Sequence, residues 1–294
     1  MNHRLLLGPL ALVTCFLLGC SAPQIVKSTL VLPIPMQVSY ESELGIARLG
    51  QMLNSPGLTP QQRAELFFQR GVIFDRVGLR AMARLDFNRA LRERPDFADA
   101  YNLNGVYLTQ NQDFDEAYES FDSALELAPD YSYANLNRGI ALYYGGRPAL
   151  AVSDLKLFLD EEPTDPYRVL WWYLALEKVD AKAALKTLKL YQAQYASDDW
   201  SWDLINLYLG TINEEQLLDR IVEESVDNQE LAERLCETYF YLGKRAQHNN
   251  EYQQAEVYFK LAVATNVYDF VEHRYALLEL DLITEEAEGF TLIE

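Results

Sequence analysis

Three segments of the chain align without a gap: GVIFDRVGLRAMARLDFNRALRERP (residues 71–95), GVYLTQNQDFDEAYESFDSALELAP (105–129) and GIALYYGGRPALAVSDLKLFLDEEP (139–163). Each segment begins with Gly, has Ala twelve residues later and ends in Pro. Sixteen residues after the Gly stands a large apolar residue, which is Phe87, Phe121 or Leu155. Successive segments are offset by 34 residues. A fixed period of this length indicates a repeating structural unit, so the stretch from Ala64 to Pro163 decides the fold.

A unit of this length accommodates two helices of about a dozen residues and two short turns. One helical pair cannot bury its apolar stripe alone, so neighbouring pairs must stack. The small residues allow two helices to approach closely, and the proline ends the second helix because it lacks an N–H group. The period and these positions resemble the tetratricopeptide repeat (TPR) family. The resemblance implies an all-α fold, a solenoid of helical hairpins.

Outside the repeats, changes in pattern divide the chain into further segments. Gly243, Ala255 and Phe259 recover the early spacing, whereas Tyr173 stands where a Gly would continue the series. We therefore predict a signal peptide (1–19), an extended tether (20–39), an N-terminal helix (40–58), three regular repeats (59–163), degenerate helical hairpins (164–228), a C-terminal repeat with a capping helix over Asp269–Leu282 (229–283) and a frayed tail (284–294).

Polar residues mark the predicted helix starts. Thr59 followed by Pro60 is typical of a first turn, and Asp165 and Asp180 are expected to cap helices in the degenerate region. Carboxylates at a helix start satisfy free backbone N–H groups. We make the same prediction for Asp96, Asp113 and Asp130 in the repeats.

The first twenty residues resemble a bacterial lipoprotein signal peptide. Arg4 precedes an apolar run over Leu5–Leu18, and Gly19-Cys20 closes it. The run is shorter than the roughly 20 residues that span a bilayer. The resemblance implies cleavage before Cys20 and lipidation of that cysteine. With Ser21 after it, the resemblance implies an outer-membrane lipoprotein whose body faces the periplasm.

The N-terminal helix over Tyr40–Leu53 has an apolar stripe but no pairing helix within its own unit. Such a stripe must be covered. Two interpretations stay open, a contact across the twofold axis of a homodimer and a cap on the first repeat of the same chain. The tether before it is rich in apolar residues and is expected to lie against the body or a second subunit.

Charge and composition exclude several classes of function. The formal net charge of −19 disfavours nucleic-acid binding, because phosphates would be repelled. Beyond the signal peptide the chain has His248, His273 and, besides Cys20, only Cys236, at spacings that match no zinc or thiol motif. We therefore predict no catalytic residue, no metal and no cofactor. His273 is expected to have a structural role, paired with a carboxylate, and Cys236 to be a small buried residue.

The resemblance to TPR proteins also implies a binding site. In that family the first helix of each pair lines a concave groove that takes an extended peptide or a partner helix. Carried onto this sequence, the family positions predict a partner-binding groove that includes Phe68, Asp75, Asn102, Thr109, Tyr133, Asn137 and Tyr143.

A narrower resemblance covers most of the chain beyond the signal peptide. Residues 137–147 and 270–280, together with the lipoprotein signal and the repeats, resemble the NlpI family of periplasmic TPR lipoproteins. This implies a non-catalytic homodimeric adaptor. It would bind a periplasmic C-terminal-processing protease and peptidoglycan endopeptidases, and so regulate cell-wall cleavage, cell division and envelope integrity. The alternative is a structural lipoprotein subunit of an outer-membrane assembly or pilus machine.

Overall fold

The computed structural model describes residues 30–291, in which the chain forms fourteen α-helices and no strand. This confirms the all-α prediction. The signal peptide, Cys20 and the first part of the tether lie outside the described residues. The helices are α1 (Tyr40–Leu53), α2 (Pro60–Arg76), α3 (Arg80–Glu93), α4 (Ala98–Gln110), α5 (Phe114–Leu127), α6 (Ser132–Tyr144), α7 (Pro148–Glu161), α8 (Pro166–Glu177), α9 (Ala181–Tyr195), α10 (Trp202–Leu209), α11 (Glu214–Glu224), α12 (Asn228–His248), α13 (Tyr252–Ala264) and α14 (Val271–Thr291).

The three regular repeats form the hairpins α2–α3, α4–α5 and α6–α7. Within each hairpin the Gly of the first helix lies against the large apolar residue sixteen positions later. A Cβ atom added at Gly105 would lie 2.6 Å from Cε1 of Phe121. The hairpin α12–α13 repeats this contact between Gly243 and Phe259. The spacing seen in the sequence is therefore the packing contact that closes each hairpin.

Some of the predicted capping residues lie at helix starts and cap them, and others do not. The Thr59 side chain accepts a hydrogen bond from the Gln62 N–H, and Asp165 and Asp180 cap α8 and α9. Before the repeat helices α4, α5 and α6, Asp96, Asp113 and Asp130 make no side-chain cap, so this prediction was wrong. The N-cap residues of α4 and α6 are Phe97 and Tyr131, so Asp96 and Asp130 each stand one residue too early to cap the helix. Asp113 does occupy the N-cap position of α5, but its ψ angle of 62° lies below the 95–160° of Thr59, Asp165 and Asp180, and its side chain makes no bond to the helix.

The segment after the third repeat forms two further hairpins, α8–α9 and the shorter α10–α11. The α8 helix is buried over almost its whole length and includes Trp171, Trp172 and Tyr173. Tyr173 occupies the position that Gly holds in the regular repeats, so the close approach of the earlier hairpins is not repeated here. These side chains belong to one hydrophobic core that continues from α4 to α14.

The last helix turns back toward the beginning of the repeats. Arg274 of α14 forms an ion pair with Asp75 of α2, and the Tyr275 ring stacks on Tyr144 of α6 at 5.4 Å between centroids. The helix continues to Thr291 instead of ending at Leu282, so the predicted frayed tail is helical through that residue. The sequence from Glu285 to Glu288 favours helix, and Glu285 accepts a 2.8 Å hydrogen bond from Gln112.

The described part of the tether and α1 both pack on the same chain. The backbone over 31–38 is extended; Asn228 bonds both the N–H and the C=O of Ile34, and the Met36 N–H donates to the Thr265 carbonyl at 2.9 Å. Helix α1 lies on α2, where Ile46 packs into the cluster around Phe74. Helix α1 therefore packs on the first repeat of its own chain, and Tyr40, Leu44 and Met52 on it stay exposed.

Candidate protein-binding surface

The predicted groove begins at α2, and there α14 covers it. Asp75 is 8% exposed, accepts a hydrogen bond from the Tyr107 hydroxyl and pairs with Arg274 at 2.5 Å. Phe68 is half-buried against the rings of Phe87 and Phe97, with centroid distances of 5.7 and 4.6 Å. Both predicted residues therefore have intramolecular partners at this end of the groove.

The next predicted residues lie on α4 and α6 and bond to one another. Asn137 donates from Nδ2 to Oδ1 of Asn102 at 3.0 Å, and Asn102 is joined to the Tyr131 hydroxyl at 3.3 Å. Thr109 is fully buried and donates to the Gly105 carbonyl of its own helix. This chain of side-chain amides links two repeats and leaves little of either asparagine in contact with solvent.

Tyr143 is half-buried beside an internal ion pair. Lys244 of α12 pairs with Glu279 of α14, and its Nζ lies 5.1 Å from the Tyr143 ring centroid. Glu279 also accepts hydrogen bonds from Tyr144 and Gln247 at 2.7 Å each. Burial lowers the pKa of Lys244, but the Glu279 carboxylate and the Tyr143 hydroxyl together raise it by more, so the pKa stands above its usual value and the lysine is charged. This network fixes α14 to α12 and α6.

The groove is open further along, where α6 and α8 face the start of α14. A cavity of about 330 Å³ lies there, with Tyr133 and Leu136 of α6 on one side and Glu272 of α14 on the other. Tyr133 is 56% exposed and rests on Phe158 at 5.6 Å between centroids. Of the seven predicted groove residues, Tyr133 is thus the one that presents a large accessible side chain.

One buried carboxylate, Glu272, and one half-buried carboxylate, Glu237, line this cavity. Glu237 accepts a hydrogen bond from the Tyr167 hydroxyl at 2.7 Å, and Glu272 accepts one from the Tyr241 hydroxyl at 3.0 Å. Burial raises the pKa of Glu237 well above its usual range, with a further contribution from the charge of Glu272. Burial likewise raises the pKa of Glu272, although hydrogen bonds from its own backbone N–H and from Tyr241 oppose the shift. The cavity therefore has carboxylates that are costly to ionise.

Tyr167, Trp171, Glu237 and Glu272 were absent from the predicted groove. They lie on the degenerate and C-terminal helices, for which the repeat register gives no position. One signal was present in the sequence: Glu272 and Glu279 are seven residues apart on α14, on the helix face that includes Tyr275, Ala276 and Leu278. Two carboxylates on an apolar helix face indicate buried polar contacts or a site.

The remaining candidate residues are structural. His273 is buried, with Nε2 at 3.1 Å from the Val263 carbonyl, and burial lowers its pKa to about 4. Its partner is a backbone carbonyl, so the predicted carboxylate partner was wrong; the buried ring stays neutral and prefers a neutral acceptor. Cys236 is fully buried, and burial raises its pKa well above the usual value.

The described residues include neither a membrane-spanning helix nor a metal-binding cluster. None of their helices has the length and apolar character that crossing a bilayer requires. In the same part of the chain, no three His, Cys, Asp or Glu side chains are grouped so as to hold a metal ion.

Part of the chain matches a known repeat family, and the fold is similar to solved repeat proteins. Residues 68–132 and 110–166 match the family described as tetratricopeptide repeat. A TPR protein from Parabacteroides merdae is similar to this chain with a TM-score of 0.50 at 16% identity, over 82% of this chain and 91% of that one. PilF of Pseudomonas aeruginosa has a TM-score of 0.43 at 16% identity, over 80% and 88%. YrrB, described as a TPR protein with an unusual peptide-binding site, has a TM-score of 0.43 at 14% identity, over 80% and 98%. At 16% identity, the similarity to the Parabacteroides merdae protein shows only that the two chains share a fold.

Proposed function

We propose that the protein is a non-catalytic adaptor that binds other proteins on its concave surface, because residues 68–166 match the family described as tetratricopeptide repeat. Stacked repeats of this kind generally present such a surface for an extended segment or a helix of a partner. The observation that carries the proposal is the open part of the groove, where the exposed Tyr133 stands over a cavity that α14 leaves uncovered.

The proposed partners come from the narrower resemblance. A member of the NlpI family would bind a periplasmic C-terminal-processing protease together with peptidoglycan endopeptidases. Holding both on one scaffold raises the effective concentration of each at the other, so proteolysis of the wall hydrolases accelerates without new chemistry in the adaptor. Cell-wall cleavage, cell division and envelope integrity would then depend on the abundance of this protein.

The proposal includes a lipid anchor on Cys20 in the outer membrane and a homodimer. The surface of α1 supports the dimer. Leu44 and Met52 are 46% and 44% exposed and Tyr40 is 72% exposed on a helix that buries only Leu49. A second copy would cover this surface. A chain that begins at Thr59 is expected to have half the mass per particle of the full soluble body, and equal masses would contradict the dimer contact.

The adaptor is tested by capture from bacterial envelopes. The full chain with a C-terminal tag, expressed in a Gram-negative bacterium and recovered from detergent-solubilised envelopes, is expected to retain a processing protease and a wall endopeptidase. A matched Cys20→Ala chain is expected in the soluble fraction with the same partners. Recovery of a β-barrel assembly complex or a secretin, without protease or hydrolase, would overturn the adaptor in favour of a structural subunit.

A further inference from the structure

The cavity beside Tyr133 has an imbalance of charge. Five carboxylates and one guanidinium line it, and these residues are Glu162, Asp165, Glu237, Asp269, Glu272 and Arg168. A concave surface with this balance attracts cations, because opposite charges interact more strongly where water is partly excluded.

The single arginine does not neutralise the inner carboxylates. The Arg168 guanidinium donates to the Phe158 carbonyl at 2.6 Å and lies 3.8 Å from the Phe158 ring centroid. Its ion pairs are with Glu161, Glu162 and Asp165, at 3.3–3.5 Å. Arg168 therefore pairs with carboxylates between α7 and α8, at the rim of the cavity, and forms no ion pair with Glu237 or Glu272.

Glu237 and Glu272 lie deeper and have neutral partners. Their hydrogen-bond donors are the hydroxyl groups of Tyr167 and Tyr241. No lysine, arginine or histidine of the described residues forms an ion pair with either carboxylate. Glu272 is only 5% exposed and borders the cavity. Burial favours the neutral form of such a carboxyl, and a cation that enters the cavity would favour the charged form, so the two groups suit a cation supplied from outside.

The aromatic side chains of the same cavity suit a cationic group. Tyr133 at the rim and Trp171 within the lining offer ring faces, and Tyr167 lies next to Glu237. Ammonium and guanidinium groups are attracted to such faces, most strongly to Trp. The alkyl stem of a lysine or arginine would contact the rings while its charged end approaches the carboxylates.

We propose that this cavity binds a lysine or arginine side chain of an extended partner segment, with Glu272 and Glu237 as the counter-charges and Tyr133 and Trp171 as the walls. The inference rests on the proposed adaptor function and names the chemistry that its open groove selects. A negatively charged or acetylated side chain would bind more weakly, because it brings no cation to the two carboxylates.

The test uses capped pentapeptides with one central lysine, arginine or acetyl-lysine between alanines, titrated into the full soluble body at pH 8 and low salt. Binding is followed by calorimetry and by the fluorescence of the tryptophans. The lysine and arginine peptides are expected to bind at least tenfold more tightly than the acetyl-lysine peptide. Equal binding of all three, or no heat with any of them at millimolar concentration, would overturn the inference.

Three variants locate the site. Glu272→Gln and Tyr133→Ala are each expected to weaken binding of the lysine peptide at least fivefold, whereas Glu126→Gln, on the exposed face of α5, is expected to leave it unchanged. Tyr133 is largely exposed, so its replacement tests the same site without changing a buried group. Unchanged binding in both cavity variants would place the cation elsewhere.

The envelope capture separates this inference from the adaptor function. If the full chain captures the protease and the endopeptidase, but the purified body binds the three peptides equally, the adaptor function is supported and the cation site is overturned. If the body prefers the lysine and arginine peptides, but the full chain captures neither protein, the cation site is supported and the adaptor function is overturned.

Discussion

At the scale of single residues, the repeat spacing is a steric relation between a glycine and an aromatic ring. The positions of Gly71, Gly105 and Gly243 have no room for a methyl group, since added Cβ atoms would lie 2.5–2.7 Å from ring carbons of Phe87, Phe121 and Phe259. Real Cβ contacts are not this short. The glycine thus sets the distance between the two helices of a hairpin.

We expect Gly105→Ala to destabilise the protein by about 1–2 kcal/mol. Overpacking against Phe121 costs about 1–3 kcal/mol, and the better helix propensity of alanine returns up to roughly 1 kcal/mol. The measurement is urea unfolding followed by circular dichroism.

Gly50→Ala is the matched control for that substitution. Gly50 is also helical, but its added Cβ would meet only the end of the Arg70 side chain, at an ordinary 3.6 Å. We expect this variant to gain up to about 1 kcal/mol. Equal effects of the two substitutions would show that helix propensity, and not the contact with Phe121, explains the glycine.

At the scale of elements, local signals predicted helices well and long-range polar contacts poorly. The prolines at positions 95, 129 and 163 each stand two residues after the last helical residue of α3, α5 and α7, as expected. Asp96 and Asp130 failed as caps because each precedes the N-cap residue by one position, and Asp113 failed because of its backbone angles. Residue type alone does not determine those angles.

The ion pair between Lys244 and Glu279 joins α12 to α14 within the core. We expect Lys244→Met and Glu279→Gln each to cost about 3 kcal/mol, because each leaves a buried charge or acceptor without its partner. The double variant is expected to lose less than the sum, with a coupling of about 2 kcal/mol in a urea double-mutant cycle. Additive losses would mean that the two charges do not interact.

Glu272 makes stability depend on pH with a definite sign. Burial raises its folded pKa from 4.5 to about 7, so between these values the folded state binds more protons than the unfolded state. Stability therefore falls as pH rises through this window, and the loss is complete above it.

We expect Glu272→Gln to increase the free energy of unfolding at pH 8 by about 1–3 kcal/mol. At pH 4 the variant and the parent should be equal, since the carboxyl is protonated in both states and glutamine keeps the acceptor for Tyr241. Melting temperatures from pH 4 to pH 8 measure this, with Glu126→Gln as the exposed control. A gain that does not change with pH would exclude titration of this carboxyl as the cause.

At the scale of the whole described body, α14 departs from the rule that a repeat contacts only its neighbours. The sequence predicted how the helices from Thr59 to Pro163 stack, because each of them packs on helices that are close to it in the chain. It could not predict that α14 returns to α2, because the ion pair between Asp75 and Arg274 joins residues 199 positions apart. This return also buries the predicted groove residue Asp75, whereas Tyr133 is accessible.

This contact should couple the first hairpin to the last helix. We expect Arg274→Met to lower the protection of α2 and α3 amides against hydrogen exchange by roughly 30-fold, about 2 kcal/mol, because Asp75 loses its cation while still buried.

Arg76→Met is the control for that experiment, since Arg76 pairs with Asp269 at 3.9 Å with both side chains at least half exposed. Exposed pairs contribute little. Equal losses of protection in the two variants would contradict a special role for the contact with α14.

The docking of the backbone over 31–38 sets an upper limit on the reach of the proposed lipid anchor. Its bonds to Asn228 and Thr265 hold this stretch on the body, so only the chain before Val31 could span the distance to a lipid. Val31 is the eleventh residue after Cys20, and a fully extended chain covers at most about 3.5 Å per residue, or about 38 Å in all. With the proposed lipid on Cys20, Val31 would stand less than about 4 nm from the lipid surface, and the proposed adaptor would meet partners close to that surface.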